Sequence, residues 1–214
     1  MSANELASID RTIADYAARV ASSSPTPGGG SVAGMVGAFA AALAGMVCAL
    51  TLGGAKDLEA GRLLESAQQK TGELRERLLR LAVDDEAAFA GYRAASALPK
   101  STPVEKSHRN EAIQSALIDA CDAPMAIARA CLDVLTLLPR IAQHGTKHAL
   151  SDASASAILA NAALRSALLN IDVNADLIKK QSVTARLRSE SARLEADGRA
   201  LSAQTLALIA SRQA

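Results

Sequence analysis

The sequence predicts an all-α fold, a single-domain bundle of about six to seven helices around a buried Ala/Gly-rich central helix. Three observations predict it. Aromatic residues make up 2% of the chain and tryptophan is absent, so the residue types that strands favour are scarce. Apolar residues recur at steps of three and four along most of the chain. The run from Val32 to Gly54, VAGMVGAFAAALAGMVCALTLGG, lies in a stretch without charge between Arg19 and Lys56, as a helix enclosed by others requires. Nothing marks an internal boundary in the 214 residues, so residues 1–214 read as one domain.

Residues 4–21 carry Leu6, Ile9, Ile13, Tyr16, Ala17 and Val20 at helical spacing, with Asp10, Arg11, Asp15 and Arg19 elsewhere, the pattern of an amphipathic helix. The next stretch, Ser22-Ser23-Ser24-Pro25-Thr26-Pro27-Gly28-Gly29-Gly30-Ser31, reads as a shaped loop, because its prolines fix φ and its glycines open backbone shapes closed to other residues. Ser31 stands as the N-cap of the central helix. Bare amides and the positive end of a helix dipole would then meet at one point, which suits an anion or a ligand carbonyl. The central helix runs to about Leu52, where Gly53-Gly54 stops it. Gly30, Gly34 and Ala38 are four apart, as are Gly37, Ala41 and Gly45, so neighbouring backbones approach closely and a large residue at Gly34 or Gly45 would clash. Its length invites a membrane reading; the abundance of Gly and Ala, the Pro/Gly opening and the lack of an aromatic belt argue against one.

From Asp57 to Leu98 the helical pattern continues, with one stripe reading Leu74, Leu78, Leu81, Asp85, Ala88, Tyr92. Asp85 interrupts it. Asp84 falls on another face with Arg77 and Arg80, where an Arg80–Asp84 pair is ordinary surface chemistry. A carboxylate facing a core needs hydrogen bonds or a cavity, so Asp85 either caps a neighbouring helix, pairs with an arginine, or works at a site. Pro99 and Pro103 break the pattern, and Thr102 with Pro103 restarts it. Lys100, at this tip, is by default a solvated charge. Residues 104–138 read as one helix, bent at Pro124 and ended or kinked at Pro139.

After His144-Gly145-Thr146-Lys147-His148, Ser151 or Asp152 caps a helix running to about Asn174, with Ala155, Leu159, Ala162, Leu169 and Val173 on one face. Asn161 and Arg165, and Asn170 and Asn174, form polar rows that need partners or a ligand. His144 and His148 invite zinc, but Gly145 spoils helical ligation and no third ligand is near in sequence. From about Asp176 a last helix carries Leu187, Leu194, Leu201 and Leu208 seven apart. The small polar residues between them favour packing on this chain or a second subunit over a long coiled coil.

The formal charge of +1 points away from nucleic acid and from a membrane surface. Cys48, Cys121 and Cys131 are odd in number and lie in apolar helical contexts. Free buried thiols and a soluble cytoplasmic protein are the expectation, with no secretory leader read at the start. There is no G-x-x-x-x-G-K-[ST], no G-x-S-x-G, no paired C-x-x-C, and no strand ahead of the Gly-rich loop for a dinucleotide.

Four stretches, in this order, resemble the formiminotransferase-cyclodeaminase C-terminal domain family. They are Pro25-Thr26-Pro27-Gly28-Gly29-Gly30-Ser31-Val32-Ala33, Asp84-Asp85-Glu86-Ala87-Ala88-Phe89 with Leu98-Pro99-Lys100, the Ser151-Asp152-Ala153 turn, and Ala167-Leu168-Leu169-Asn170-Ile171-Asp172-Val173-Asn174. The resemblance covers roughly residues 5–180 and implies an all-α homodimer acting on a tetrahydrofolate, with no metal or redox cofactor. The implied reaction is either loss of ammonia from 5-formiminotetrahydrofolate to give 5,10-methenyltetrahydrofolate, or hydrolysis of the latter to 10-formyltetrahydrofolate. Asp85 matches the aspartate of the family's D-x-x-A-F pattern, which favours a catalytic role for it. Pro27, Gly28, Gly29, Gly30 and Ser31 match the family's loop, and Lys100, Ser151, Asp152, Asn170 and Asn174 match positions that would contact substrate or support those that do. Where the family usually reads Gly-Asn-x-Asn and Ala-Gly, this chain has Gly145-Thr146-Lys147-His148 and Ala153-Ser154, a departure that bears on specificity or activity. The alternative of another class is a non-catalytic helical dimer that keeps the fold and could still bind folate. A third is a membrane or assembly protein built on residues 31–52.

Overall fold

The computed structural model describes residues 10–53 and 58–213, which form seven α-helices and a short 3-10 turn. Leu6, Ile9, Gly54 and Asp57, on which parts of the sequence reading rest, lie outside that range. Helix α1 spans Ile13–Val20. Thr12 caps it, its Oγ1 accepting from the Asp15 amide at 3.1 Å, so within the described residues the helix begins later than its apolar spacing predicts. Tyr16 is the residue of α1 that is buried; Ile13 points outward.

Helix α2 spans Gly29–Leu52 and ends at Gly53. Its first turn departs from expectation. Gly28, not Ser31, is the cap residue, and no side chain of its own segment caps it. None of the described glycines has positive φ; what they provide here is close approach. A Cβ on Gly34 would lie 2.9 Å from Ala82 Cβ and 3.0 Å from the Leu78 carbonyl oxygen. One on Gly37 would lie 2.8 Å from Cys131 Sγ, and one on Gly45 3.0 Å from Thr71 Oγ1. Contacts this short exclude larger side chains, so the small-residue rows do seat α2 against its neighbours.

Helices α3 (Leu58–Ser96), α5 (Asp122–His144) and α6 (Leu150–Leu177) surround that inner face. Ser156 Oγ donates to the Ala40 carbonyl at 2.7 Å, tying α6 to α2 in the core. The opposite side of α2 is open, with Phe39 46% and Leu50 57% exposed and Met46 also outside, so α2 is not buried on most sides as its composition suggests. By length and apolarity it would pass for a membrane span, with mean hydropathy 2.1, yet its Gly/Ala face is the centre of the bundle.

Helix α4 (Pro103–Asp119) opens on the expected Thr102 and Pro103, and a reciprocal Thr102–Glu105 capping box completes its start. It ends where a single helix was expected to bend. Pro124 lacks an N–H and its ring crowds the carbonyl four residues back; α4 stops at Asp119 and α5 restarts at Asp122. Pro139, by contrast, lies inside α5, which runs through it to His144. No ion pair joins Arg80 and Asp84 among the described residues, and both are exposed.

The 3-10 turn Lys147–Ala149 leads into α6, whose cap position is Ala149, so Ser151 and Asp152 lie in its first turn. Leu169 and Val173, read as part of a packing face, are 66% and 65% exposed. The face α6 buries carries Ala153, Ala157, Ala160, Leu164, Ala167 and Ile171, because alanine lets α6 approach α2. Asn161 Oδ1 is buried without a partner, while Arg165 pairs with Glu195 at 3.3 Å. Helix α7 (Gln181–Gln213) presses its leucine seam onto the core of the same chain. At its far end Arg212 donates to the carbonyls of Ala142 and Gly145, closing the C-terminus of α5. Cys48, Cys121 and Cys131 are buried free thiols, and burial pushes them up to about 11, 11 and 12.

Candidate active site

Four segments converge on a cleft of about 330 Å³. The N-terminal turn of α2 forms one wall with Gly28, Gly29 and Gly30; α3 contributes Asp85, Phe89 and Tyr92. The α4–α5 junction adds Leu117 and Ala120, and the last third of α6 adds Asn170, Val173, Asn174 and Leu177. The Pro124 break leaves Ala120 there, and its carbonyl accepts from Asn174 Nδ2 at 3.3 Å. Asn170 Nδ2 donates back to the Ser166 carbonyl of its own helix at 2.8 Å.

Asp85 lies against the glycine turn. The position a Cβ would take on Gly30 is 2.1 Å from Asp85 Oδ1 and 2.5 Å from its Cγ, so the carboxyl group occupies the space glycine leaves vacant. The Ser31 amide donates to it. The first amides of a helix have no partner within it, and here one is met by a carboxylate from another helix. Asp85 thus performs the capping expected of a buried aspartate and also lines the cleft. Burial pushes its carboxyl group up to about 6; the neighbouring Glu86 charge pushes the same way, and the Ser31 amide opposes both. A carboxyl group of this kind exchanges protons near neutral pH.

Behind the glycine turn, Ser31 is fully buried. Its hydroxyl donates to Glu86 Oε1 at 3.0 Å and lies 2.9 Å from the Tyr16 hydroxyl. Arg19 reaches the other Glu86 oxygen at 3.8 Å. Burial raises Tyr16, with the Glu86 and Asp85 charges adding to it.

Of the residues singled out from the sequence, Gly28, Gly29, Gly30, Asp85, Asn170 and Asn174 meet in this cleft. Pro27, after a cis peptide, is buried beside it, and Ser31 lies beneath with its amide toward Asp85. Lys100 is exposed in the α3–α4 connection and does not line the cleft. Ser151 and Asp152 open α6, whereas Asn170 is near its end, 19 residues and about 28 Å of helix away from Ser151. Thr146 is at that distant end too, its amide held by Thr51 Oγ1 at 2.9 Å. His144 ends α5 and His148 is exposed in the 3-10 turn, and no group of three or more potential metal ligands occurs among the described residues. The sequence reading missed Tyr16, Glu86, Leu117 and Leu177 as parts of the site. Tyr92 was on the Asp85 stripe and could have been included from its spacing. Tyr16 and Glu86 come together only in the fold, where both meet the Ser31 hydroxyl.

Comparison with known proteins gives a consistent result. The family described as formiminotransferase-cyclodeaminase matches residues 12–193. The methenyltetrahydrofolate cyclohydrolase of Methylorubrum extorquens is 42% identical over 166 residues, 78% of this chain and 80% of that protein. The formimidoyltransferase-cyclodeaminase of Gallus gallus is 28% identical over 206 residues, 96% of this chain but 38% of the longer avian protein. The crystal structure of a formiminotetrahydrofolate cyclodeaminase from Thermotoga maritima superposes with a TM-score of 0.85 at 27% identity, covering 96% of this chain and 100% of that one.

Proposed function

The chain belongs to the formiminotransferase-cyclodeaminase family, and from that premise we propose that it is a folate one-carbon enzyme hydrolysing 5,10-methenyltetrahydrofolate to 10-formyltetrahydrofolate, with Asp85 as the proton-transferring group. The observation that carries this reading is the partly desolvated Asp85 carboxyl group, raised to about 6, set between a glycine-built helix start and the Asn170/Asn174 amides. The choice of hydrolysis follows the 42% identical Methylorubrum cyclohydrolase.

In this mechanism the anionic carboxylate faces the cationic methenyl carbon and stabilises it as charge builds. Water adds to that carbon, and Asp85 takes one of the water's protons. The bond from the carbon to N5 then breaks, Asp85 returns its proton to N5, and the remaining hydroxyl proton leaves to solvent as the formyl C=O forms. The amides at the start of α2 suit the pterin carbonyl or a folate carboxylate, and the Phe89–Tyr92 wall, ring centroids 6.2 Å apart, suits a flat ring. Neither a metal nor a redox cofactor is required.

A second reading is favoured by the Thermotoga maritima structure, described as a cyclodeaminase. There N10 attacks the formimino carbon, and Asp85 carries the N10 proton to the departing ammonia. Purified protein mixed with each substrate distinguishes the two. Accelerated loss of the near-ultraviolet methenyl absorbance is the expected result, with ammonia release from 5-formiminotetrahydrofolate supporting the second reaction. Absence of both, above the uncatalysed background, would leave the non-catalytic dimer.

We further infer a cytoplasmic protein that forms a homodimer; the dimer is supported by the open stripe of Phe39, Met46 and Leu50 on α2, which is apolar surface that a second subunit would remove from water. Light scattering of a Phe39→Glu variant is expected to give monomer where the parent gives dimer. A parent that is monomeric at micromolar concentration would refute the assignment.

A further inference from the structure

Glu86 stands beside Asp85 in the chain but faces a different neighbour. Its side chain is 15% exposed, held on one oxygen by the Ser31 hydroxyl at 3.0 Å and approached on the other by Arg19 at 3.8 Å. Ser31 therefore serves two carboxylates at once, its hydroxyl donating to Glu86 and its amide to Asp85. Tyr16 completes the clamp from α1 at 2.9 Å from the same hydroxyl. A fully buried serine with both donors committed fixes the first turn of α2 relative to α3, and with it the place of Asp85 in the cleft.

We propose that Glu86, acting through Ser31, is the positioning residue for Asp85: it locks the glycine turn against α3 and so holds the Asp85 carboxyl group in its place in the cleft. The inference rests on the catalytic reading of Asp85. The groups around that carboxyl group are few. From α1 comes Tyr16, from α2 the Ser31 amide, from α3 Glu86, and from α6 the uncharged Asn170 and Asn174, while Arg19 reaches Glu86 and not Asp85. Glu86 is thus the anion nearest to hand, and removing its charge eases ionisation of Asp85.

The test uses two variants and a readout independent of turnover. The intact protein is labelled with 13C at the aspartate carboxyl carbons and titrated by NMR. In Glu86→Gln, which keeps an acceptor for Ser31, the Asp85 midpoint is expected to fall by about half a pH unit or more, while kcat on the alkaline plateau stays within about threefold of the parent. In Glu86→Ala, which removes the acceptor too, the midpoint falls likewise, and plateau kcat is expected to drop about tenfold with KM little changed. An Asp85 midpoint identical to the parent's in both variants, with only the melting temperature altered, would reduce Glu86 to a structural role. Full plateau kcat in Glu86→Ala would remove the positioning role. An active Asp85→Asn would instead overturn the catalytic reading, a result these midpoints cannot mimic.

Discussion

Asp85→Asn is expected to lower kcat for methenyl hydrolysis by about 10²–10⁴-fold while making the protein more stable at pH 8. Both effects come from one carboxyl group. Its ordinary value is 3.8 and the fold pushes it up to about 6, chiefly by burial. Between those values the folded state holds a proton that the unfolded state has already lost. Stability therefore falls as pH rises through this window, and above about pH 7 the parent carries the whole cost of an ionised, partly buried group. Two units correspond to roughly 3 kcal/mol; solvent screening at the cleft mouth reduces this to about 1–2 kcal/mol. Asparagine cannot ionise and keeps an acceptor for the Ser31 amide. Its melting temperature at pH 8 should exceed the parent's by about 2–6 °C, with the gap closing toward pH 4. The parent's rate should fall below pH 6 as Asp85 protonates. Calorimetry at both pH values with stopped-flow kinetics checks all three; a variant less stable at pH 8, or one that keeps its rate, contradicts the assignment.

How far the site was legible follows from what holds each part in place. Asp85 could be found from sequence because a carboxylate interrupting an apolar stripe breaks a local pattern, and the pattern survives folding. The α4 start was equally local: Thr102, Pro103 and Glu105 satisfy one another within a single turn. The start of α2 was not. Ser31 is a good N-cap in isolation, but the structure meets its amide with Asp85, a side chain that sequence distance hides, so the helix begins three residues earlier, at Gly29 with Gly28 as its cap. The faces of α6 were illegible for another reason. Alanine occurs on all of its sides, and the choice of buried face rests on how closely α2 approaches, which favoured Ala153, Ala157 and Ala160 over the larger Leu169 and Val173. Asn170 and Asn174 stood out as a polar row and matched the family resemblance as well, and the fold does bring them to the cleft that Asp85 lines. The resemblance also supplied Lys100, Ser151 and Asp152, which lie elsewhere on this chain.

Gly30→Ala should abolish activity nearly as thoroughly as loss of Asp85 itself, although it adds a single methyl group. That methyl would sit 2.1 Å and 2.6 Å from the two Asp85 oxygens and 2.5 Å from Cγ, distances no pair of unbonded atoms tolerates. What yields is the end of a side chain, not backbone, so the carboxyl group rotates out of the cleft and gives up the Ser31 amide. The expected cost in stability is about 1–2 kcal/mol, partly offset by alanine's higher helix propensity; the expected cost in kcat is about 10²-fold or more. Two neighbours serve as controls. At Gly29 a Cβ would meet Asn170 at 3.5 Å, an ordinary contact, so Gly29→Ala should keep most of its rate. At Gly34 the obstacles are the Ala82 Cβ at 2.9 Å and the Leu78 carbonyl at 3.0 Å, which cannot rotate away, so Gly34→Ala should lose about 1–3 kcal/mol of stability through α2–α3 packing while its folded fraction stays active. Urea titrations and kcat for the three variants separate these outcomes. If Gly30→Ala were as active as Gly29→Ala, Asp85 would have no need of the space the glycine leaves, and the contact between the two would not be part of the reaction.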